Sequence, residues 1–308
     1  MVKKESNYQQ LKKKYIQTIY LCLFLFLSSV LLSIYGLKAC KTPVLAVLLF
    51  HEVVPNPQKP WEITEENLEN LVKDFLSQGY EFIDPNDFTN ILESNLTGSK
   101  VMVTFDDGIE KSTNAIKQLY LKFGIKSVCF LLGDKIGQNE YMTKETILDL
   151  QNNYGTYFGV HGKYHKKYTE QLKEGIELGK ITEETRKSLS SLLGKNIDWL
   201  SYPFGDYNQK VLEEINSHTG IKLAFTIEQG NLQKDSNKLL LKRYMYLIND
   251  SEKKVDEKIL YSLLPPVEHI NGQKTLGIAF LLFLFGICRI KMALEIKKQI
   301  KLLREDRT

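Results

Sequence analysis

The sequence predicts an α/β protein with a parallel sheet, flanked at both ends of the chain by apolar helical segments. Between residues 43 and 250, short apolar runs alternate with stretches that have the periodicity of amphipathic helices. Polar clusters follow directly after several of these apolar runs. Such alternation is typical of a parallel sheet. About seven strand–helix units in one domain favour a closed or nearly closed barrel, with an open doubly wound sheet as the alternative.

Caps and helix breakers mark the element boundaries. Asp84-Pro85 precedes a helix, and Gly124 and Gly194 each follow one. The predicted strands cover residues 44–51, 80–83, 101–105, 126–132, 157–160, 197–202, 223–227 and 239–246. Helices are predicted over residues 64–76, after Asp84-Pro85, up to Gly124, and over residues 143–153, 182–193 and 208–217.

The N-terminal apolar segment is long enough to cross a membrane. Residues 15–37 carry no charge, and this length of helix spans a hydrocarbon core of about 30 Å. Residues 1–14 contain five Lys and one Glu, which places the N-terminus in the cytoplasm. We expect an uncleaved anchor; a cleaved signal peptide is the alternative. Lys38 argues against a lipoprotein cleavage site ending at Cys40.

A second apolar segment lies near the C-terminus. Residues 275–288 carry no charge, and Arg289 and Lys291 have long stems that can reach a membrane surface. We therefore predict a second span over residues 274–294, preceded by a connector over 251–273 and followed by a basic cytoplasmic tail over 295–308. This topology places the protein in the cell membrane with its middle domain outside the cytoplasm.

Charge is distributed unevenly along the chain. Residues 1–14 and residues 289–308 each carry a net charge of +4, and the whole chain is also +4, so the remainder is −4. An acidic middle domain argues against nucleic acid as a partner, whereas the basic ends suit anionic membrane lipid. The four cysteines form no CxxC pair and no disulfide framework.

Two polar clusters that follow apolar strands could together hold a metal ion. Asp106-Asp107 ends one strand, and His161 and His165 follow another. Each cluster alone has a structural explanation, such as Asp107 capping a helix. Together, Asp107, His161 and His165 would form a two-His, one-carboxylate set that suits Zn²⁺ or another divalent transition ion. Asp106 would remain free to act as a general base.

Two further strand ends carry candidate residues. Tyr202 precedes the turn Pro203-Phe204-Gly205, and its backbone N–H could face an oxyanion. His51 ends the first apolar strand and could protonate a leaving group if the strand ends converge.

In combination, these motifs resemble the NodB-type polysaccharide deacetylases, carbohydrate esterase family four. The resemblance covers about residues 44–250 and rests on TFDDG (104–108), HxxxH (161–165) and YPFG (202–205). It implies a distorted (β/α)7 barrel with one divalent metal, Zn²⁺ with Co²⁺ and Ni²⁺ as alternatives. It also implies that Asp106 is the base and that Asp107, His161 and His165 are the ligands. The motif Leu48–His51 is similar to the branch that deacetylates poly-β-1,6-N-acetylglucosamine, in which the upstream His is the acid.

The sequence departs from the family pattern at two positions. Gly162 replaces the usual Ser or Thr after the first metal His, which removes a hydroxyl but no ligand. The usual Arg two residues before Pro203 is absent, and Ser201 stands there. We hypothesise that Arg243, on the last predicted strand, reaches Asp106 from another direction.

The expected activity is therefore metal-dependent N-deacetylation of an extracellular N-acetylglucosamine polysaccharide. Peptidoglycan deacetylation and O-acetyl ester hydrolysis are the enzymatic alternatives. The expected partners are the N-acetylated polysaccharide, membrane lipid and a polysaccharide synthase or export machinery. A non-catalytic carbohydrate-binding protein or an assembly factor is the alternative of another class, and metal content discriminates between the two classes.

Overall fold

The computed structural model describes residues 2–41, 43–247 and 272–305. The chain divides into two compact units, Pro43–Leu263 and a helical unit formed by Met1–Thr42 with Leu264–Thr308. Most of the predicted connector over residues 251–273, and the last three residues of the predicted middle domain, lie outside the described residues.

The helical unit is an antiparallel pair, α1 (Val2–Lys41) and α9 (Gly272–Glu305). The Cys22 thiol lies 3.9 Å from the Gly286 carbonyl oxygen, near the middle of both helices. Within α1, Gln9–Ile34 is long and apolar enough to cross a membrane, with a mean hydropathy of 2.0; a signal sequence has the same properties. The second predicted span, 274–294, lies inside α9, where several side chains are not described, and it stays a prediction.

The larger unit contains a curled parallel sheet of eight strands. The strands of this unit are β1 (Leu45–Phe50), β2 (Glu52–Val53), β3 (Glu62–Ile63), β4 (Glu81–Phe82), β5 (Lys100–Phe105), β6 (Val128–Leu131), β7 (Tyr157–Val160), β8 (Trp199–Ser201), β9 (Leu223–Phe225) and β10 (Tyr244–Met245). The sheet has the order β10-β1-β5-β6-β7-β8-β9, and β4 also pairs with β5. A separate parallel pair, β2-β3, follows β1 in sequence.

Helices cover the outer face of this sheet. The helices are α2 (Glu65–Ser77), α3 (Phe88–Glu93), α4 (Thr113–Phe123), α5 (Lys144–Tyr154), α6 (Tyr168–Lys173), α7 (Leu178–Leu193) and α8 (Gln209–His218). All of them pack on this face except α3, whose Phe88 and Leu92 lie on the inner face. Thr64, Thr143 and Asn208 cap α2, α5 and α8 through their side chains. Alternate residues of the strands pack against these helices in the larger hydrophobic cluster.

The inner face of the curl holds a second, smaller cluster rich in aromatic rings. Phe88, Phe130, Trp199 and Phe225 pack with ring centroids 5.3–5.7 Å apart. Because both faces of the sheet are buried, the strands are continuously apolar rather than alternating.

The expected barrel does not close as a continuous ladder, and the sheet is an open, curled half-barrel. Its two edges meet at one parallel bridge between Phe225 and Leu241. The physical reason is the brevity of the last strands: the chain between β9 and β10 is a loop, and β10 has only two residues. The segment from Leu241 to Tyr246, which contains the edge strand β10, nevertheless contacts strands on both sides. Tyr246 N–H donates to the Leu49 carbonyl in β1, and Thr226 N–H, directly after the other edge strand β9, donates to the Leu241 carbonyl.

This arrangement gathers the carboxyl ends of β1, β5, β7 and β8 at one edge of the sheet. His51, Asp106, His161 and Tyr202 each directly follow one of these strands. The side chains predicted to carry chemistry are therefore placed on one face of the domain.

Candidate active site

Asp106 and Arg243 form a buried ion pair at the centre of this face. The Arg243 guanidinium donates to both Asp106 carboxylate oxygens, each at 2.8 Å. It also donates to the Ser201 hydroxyl at 2.7 Å, and that hydroxyl donates to Asp106 at 2.8 Å. Ser201, at the position where the deacetylases that the motifs resemble usually have Arg, thus bridges the pair.

The ion pair determines the charge state of Asp106. Burial alone would raise the pKa of this carboxyl, but the Arg243 guanidinium together with the His161 and His51 imidazoles outweighs burial and holds the pKa of Asp106 well below its usual range. Arg243 is fully buried, with Nε donating to the Thr226 carbonyl and the guanidinium lying over the Phe130 and Phe225 rings. Asp106 is therefore a carboxylate with a fixed orientation.

Asp107 has a different environment from its neighbour. Its backbone φ is +72°, which is uncommon for a residue with a side chain and costs about 1–2 kcal/mol. Its Oδ1 is buried and has no hydrogen-bond partner among the described residues. Backbone strain combined with an unpartnered buried oxygen indicates a position kept for function.

Asp107, His161 and His165 lie close enough to share one ion. Asp107 Oδ1 is 3.3 Å from His161 Nε2 and 3.4 Å from His165 Nε2. The three ligand atoms lie within 4.8 Å of one another. In a tetrahedral site with bonds of about 2.0–2.1 Å, neighbouring ligand atoms are roughly 3.3–3.4 Å apart. The donor set and its spacing therefore fit a divalent ion such as Zn²⁺.

The tautomer of His161 supports this fit. Its Nδ1 lies 2.9 Å from the Ser201 carbonyl oxygen, which only accepts, so Nδ1 carries a hydrogen. In the neutral ring, Nε2 then presents a lone pair toward the Asp107 carboxylate, and this arrangement requires a cation between them. Burial lowers the pKa of His161, but Asp106 and Asp107 outweigh burial and raise it above its usual value. A proton and a metal ion thus compete for the same nitrogen.

The backbone conformation at position 162 explains why this residue is a glycine. Its φ is +82°, and a Cβ at this position would lie 3.1 Å from Pro203 and 3.3 Å from the Tyr168 ring. The Ser or Thr that is usual in the deacetylases resembled by these motifs would be strained and crowded here.

His51 lies beside the carboxylate pair. Asp106 N–H donates to the carbonyl of Phe50, the residue before His51. The His51 Nδ1 is buried without a hydrogen-bond partner among the described residues. Burial lowers the pKa of His51 despite the opposing charges of Asp106 and Asp107.

The prediction that the Tyr202 backbone N–H faces an oxyanion was wrong. The Tyr202 N–H donates to the Phe225 carbonyl at 3.0 Å as part of the pairing between β8 and β9, so it is not available to an oxyanion. The Tyr202 side chain is fully buried, edge-on to Tyr168. Tyr202 therefore belongs to the sheet and the core.

Phe204 is a residue that sequence reasoning missed. Its ring stacks on His165, with ring centroids 4.4 Å apart and planes 14° from parallel. Its φ is +59°. The position between Pro203 and Gly205 is a signal of an unusual turn, but the sequence does not show which way the ring points.

Comparison with known proteins supports the same class of domain. The family model described as polysaccharide deacetylase matches residues 93–223, a range that holds Asp106, Asp107, His161 and His165 but neither His51 nor Arg243. YxkH of Bacillus subtilis (strain 168), whose name describes it as a polysaccharide deacetylase, is 23% identical over 217 residues, which cover 67% of this chain and 73% of YxkH.

Solved structures share the fold. The Streptococcus pyogenes deacetylase PplD in complex with acetate has a TM-score of 0.63 and 21% identity, over 71% of this chain and 99% of that one. IcaB from Ammonifex degensii has a TM-score of 0.62 and 21% identity, over 70% of this chain and 96% of that one. Together with the family match, this likeness supports a polysaccharide deacetylase domain within Pro43–Leu263.

Competition between proton and metal at His161 predicts a pH-dependent gain in stability from Zn²⁺. The raised pKa of His161 stabilises the metal-free fold below the unfolded-state pKa, and this contribution is lost as pH rises through the folded-state value. Zn²⁺ displaces that proton, so its binding weakens by about 1.4 kcal/mol per pH unit below the folded-state pKa. At one free Zn²⁺ concentration, we expect a larger rise in Tm at pH 8 than at pH 6.

The control for this measurement is Asp107→Asn. Asn tolerates a positive φ and removes the charge, so this variant should fold and show little Zn²⁺ response at either pH. An equal rise in Tm for the unchanged protein at both pH values would contradict the assignment of His161 as a ligand.

Proposed function

We propose that this chain is a metal-dependent deacetylase that hydrolyses the N-acetyl groups of a polysaccharide outside the cytoplasm. The observation that carries this proposal is the separation of roles between two adjacent carboxylates. Asp106 is paired with Arg243, whereas Asp107 faces two imidazole nitrogens. One carboxylate is thereby suited to accept a proton and the other to hold an ion.

The residues divide the hydrolysis of an acetamide into defined tasks. A divalent ion bound to Asp107, His161 and His165 would polarise the acetyl carbonyl and lower the pKa of a water molecule. Asp106, kept ionised by Arg243, accepts a proton from the attacking water. The same pairing opposes lasting protonation of Asp106, so this proton is released to solvent after the C–N bond breaks.

His51 is the candidate acid for the departing amine. Its pKa is lowered by burial, so His51 takes up a proton from solvent and, once protonated, gives it up readily to the amine. The amine leaves with that proton, and the acetyl group leaves as acetate with the oxygen of water. The His51 position, directly after β1, also supports the poly-β-1,6-N-acetylglucosamine substrate inferred from the Leu48–His51 motif. The apolar helix Gln9–Ile34 supports attachment to a membrane, with the domain outside.

Acetate release tests the reaction directly. The full-length protein in detergent is supplied with poly-β-1,6-N-acetylglucosamine or with peptidoglycan, with Zn²⁺, Co²⁺ or Ni²⁺ and with a chelator as the metal-free condition. We expect metal-dependent release, and Asp106→Asn should reduce kcat/KM by about 10²- to 10⁴-fold while bound metal is retained. Asp235→Asn, a change at an exposed carboxylate, is the matched control and should retain full activity.

The outcomes separate the alternatives. The polymer with the faster release identifies the substrate. Release that continues in the chelator or in Asp106→Asn would contradict the mechanism. Bound metal without acetate release from either polymer would point to another acylated glycan. If the protein neither binds metal nor releases acetate, a carbohydrate-binding protein is favoured.

Loss of the Arg243 guanidinium should impair both the fold and the reaction. Arg243→Ala leaves Asp106 buried and unpaired, which costs about 3–5 kcal/mol of unfolding free energy, and it should abolish acetate release while Zn²⁺ still binds. Arg243→Lys restores the charge without the two-pronged contact and should recover stability more than activity. Denaturant unfolding and acetate release measure the two effects, and unchanged rates in Arg243→Ala would refute the role of Arg243.

A further inference from the structure

The two histidines of the proposed metal site are held in different ways. His161 is buried and has its Nδ1 fixed by the Ser201 carbonyl. The side chain of His165 is 36% exposed, and its Nδ1 has no hydrogen-bond partner among the described residues. A metal-binding histidine is usually oriented by a hydrogen bond from its second ring nitrogen. His165 therefore needs another contact to fix its plane.

The Phe204 ring provides this contact. It lies face to face with the His165 imidazole at 4.4 Å between centroids and 14° between planes. Planar stacking fixes the tilt of the imidazole but leaves both ring nitrogens free. In this orientation, His165 Nε2 lies 3.4 Å from Asp107 Oδ1.

The backbone of Phe204 is held in an uncommon conformation that keeps the ring at this place. Its φ is +59°, in the left-handed region that few aromatic residues adopt. Gly205 N–H donates to the Tyr202 carbonyl at 2.8 Å, and Asp206 N–H donates to that of Pro203 at 3.1 Å. These bonds close the turn around Phe204.

A further bond joins this turn to the chain that follows His165. Thr169 N–H donates to the Asp206 carboxylate at 2.7 Å. The chain segment that follows His165 and the turn that carries Phe204 are therefore joined by a hydrogen bond in addition to the stacking of the two rings. Maintained strain beside a functional group is a signal of a positional requirement.

We propose that Phe204 is a positioning residue that holds the His165 imidazole in its metal-binding plane, in place of the hydrogen bond that fixes His161. This inference rests on the proposed metal site. It assigns the half-exposed Phe204 ring a role in metal affinity, and it predicts that the role depends on a flat ring rather than on apolar volume.

Zn²⁺ affinity of the full-length protein in detergent tests this role, measured by competition with a chromophoric chelator. Phe204→Ala and Phe204→Leu should each weaken Zn²⁺ binding about 10- to 100-fold, the range seen when supports of metal ligands are removed. Phe204→Tyr keeps the flat ring and should stay within about twofold of the original affinity. Trp61→Ala removes another exposed aromatic ring, one that contacts Lys59, and is the matched control with unchanged affinity.

Thermal unfolding of the metal-free variants separates positioning from general structure. A positioning role predicts that Phe204→Ala and Phe204→Leu keep the Tm of the metal-free protein and lose only the rise that Zn²⁺ produces. Phe204→Leu binding Zn²⁺ as tightly as the unchanged protein would overturn the inference, as would a parallel loss of Tm without metal that accounts for the whole effect. If the unchanged protein itself does not bind Zn²⁺, the proposed metal site fails and this inference with it.

Discussion

The buried pair of Asp106 and Arg243 is the interaction on which the rest of the site depends. It joins the end of β5 to the chain segment that brings the two edges of the sheet together, 137 positions apart in sequence. Two desolvated charges are stable here because both carboxylate oxygens and most of the guanidinium donors have partners. The same contacts that hold the open sheet together also orient the proposed base.

This pair leaves Asp107 free for a separate task. Because β5 ends at Phe105, Asp106 faces the inner side of the curl, and the positive φ of Asp107 turns the next carboxylate toward the histidines. Two adjacent carboxylates thereby face different partners: the Arg243 guanidinium for Asp106, and the two imidazoles of the proposed metal site for Asp107. Ser201 links the surroundings of the two carboxylates. Its carbonyl accepts a hydrogen bond from the His161 ring, and its hydroxyl donates one to Asp106.

Local patterns in the sequence predicted most of the strands and helices, because caps, breakers and apolar runs act over a few residues. They also predicted that the candidate site residues follow strand ends, where the structure has them. The Arg243 hypothesis came instead from the Arg that the resembled family has near Pro203 and this sequence lacks. The sequence did not predict that the barrel stays open. Closure would require the 18 residues between β9 and β10 to form a continuous strand that pairs with β9, and local sequence does not determine this. The pairing of Tyr202 N–H and the orientation of the Phe204 ring depend on neighbouring strands and on one backbone angle, and local sequence does not specify either.

The most direct test of the division between the two carboxylates is a crystal structure of the protein with Zn²⁺, with the metal located by anomalous scattering. We predict one ion at about 2.0–2.2 Å from Asp107 Oδ1 and the Nε2 atoms of His161 and His165, while Asp106 stays paired with Arg243. An ion bound by Asp106, or one located away from these three residues, would contradict the account.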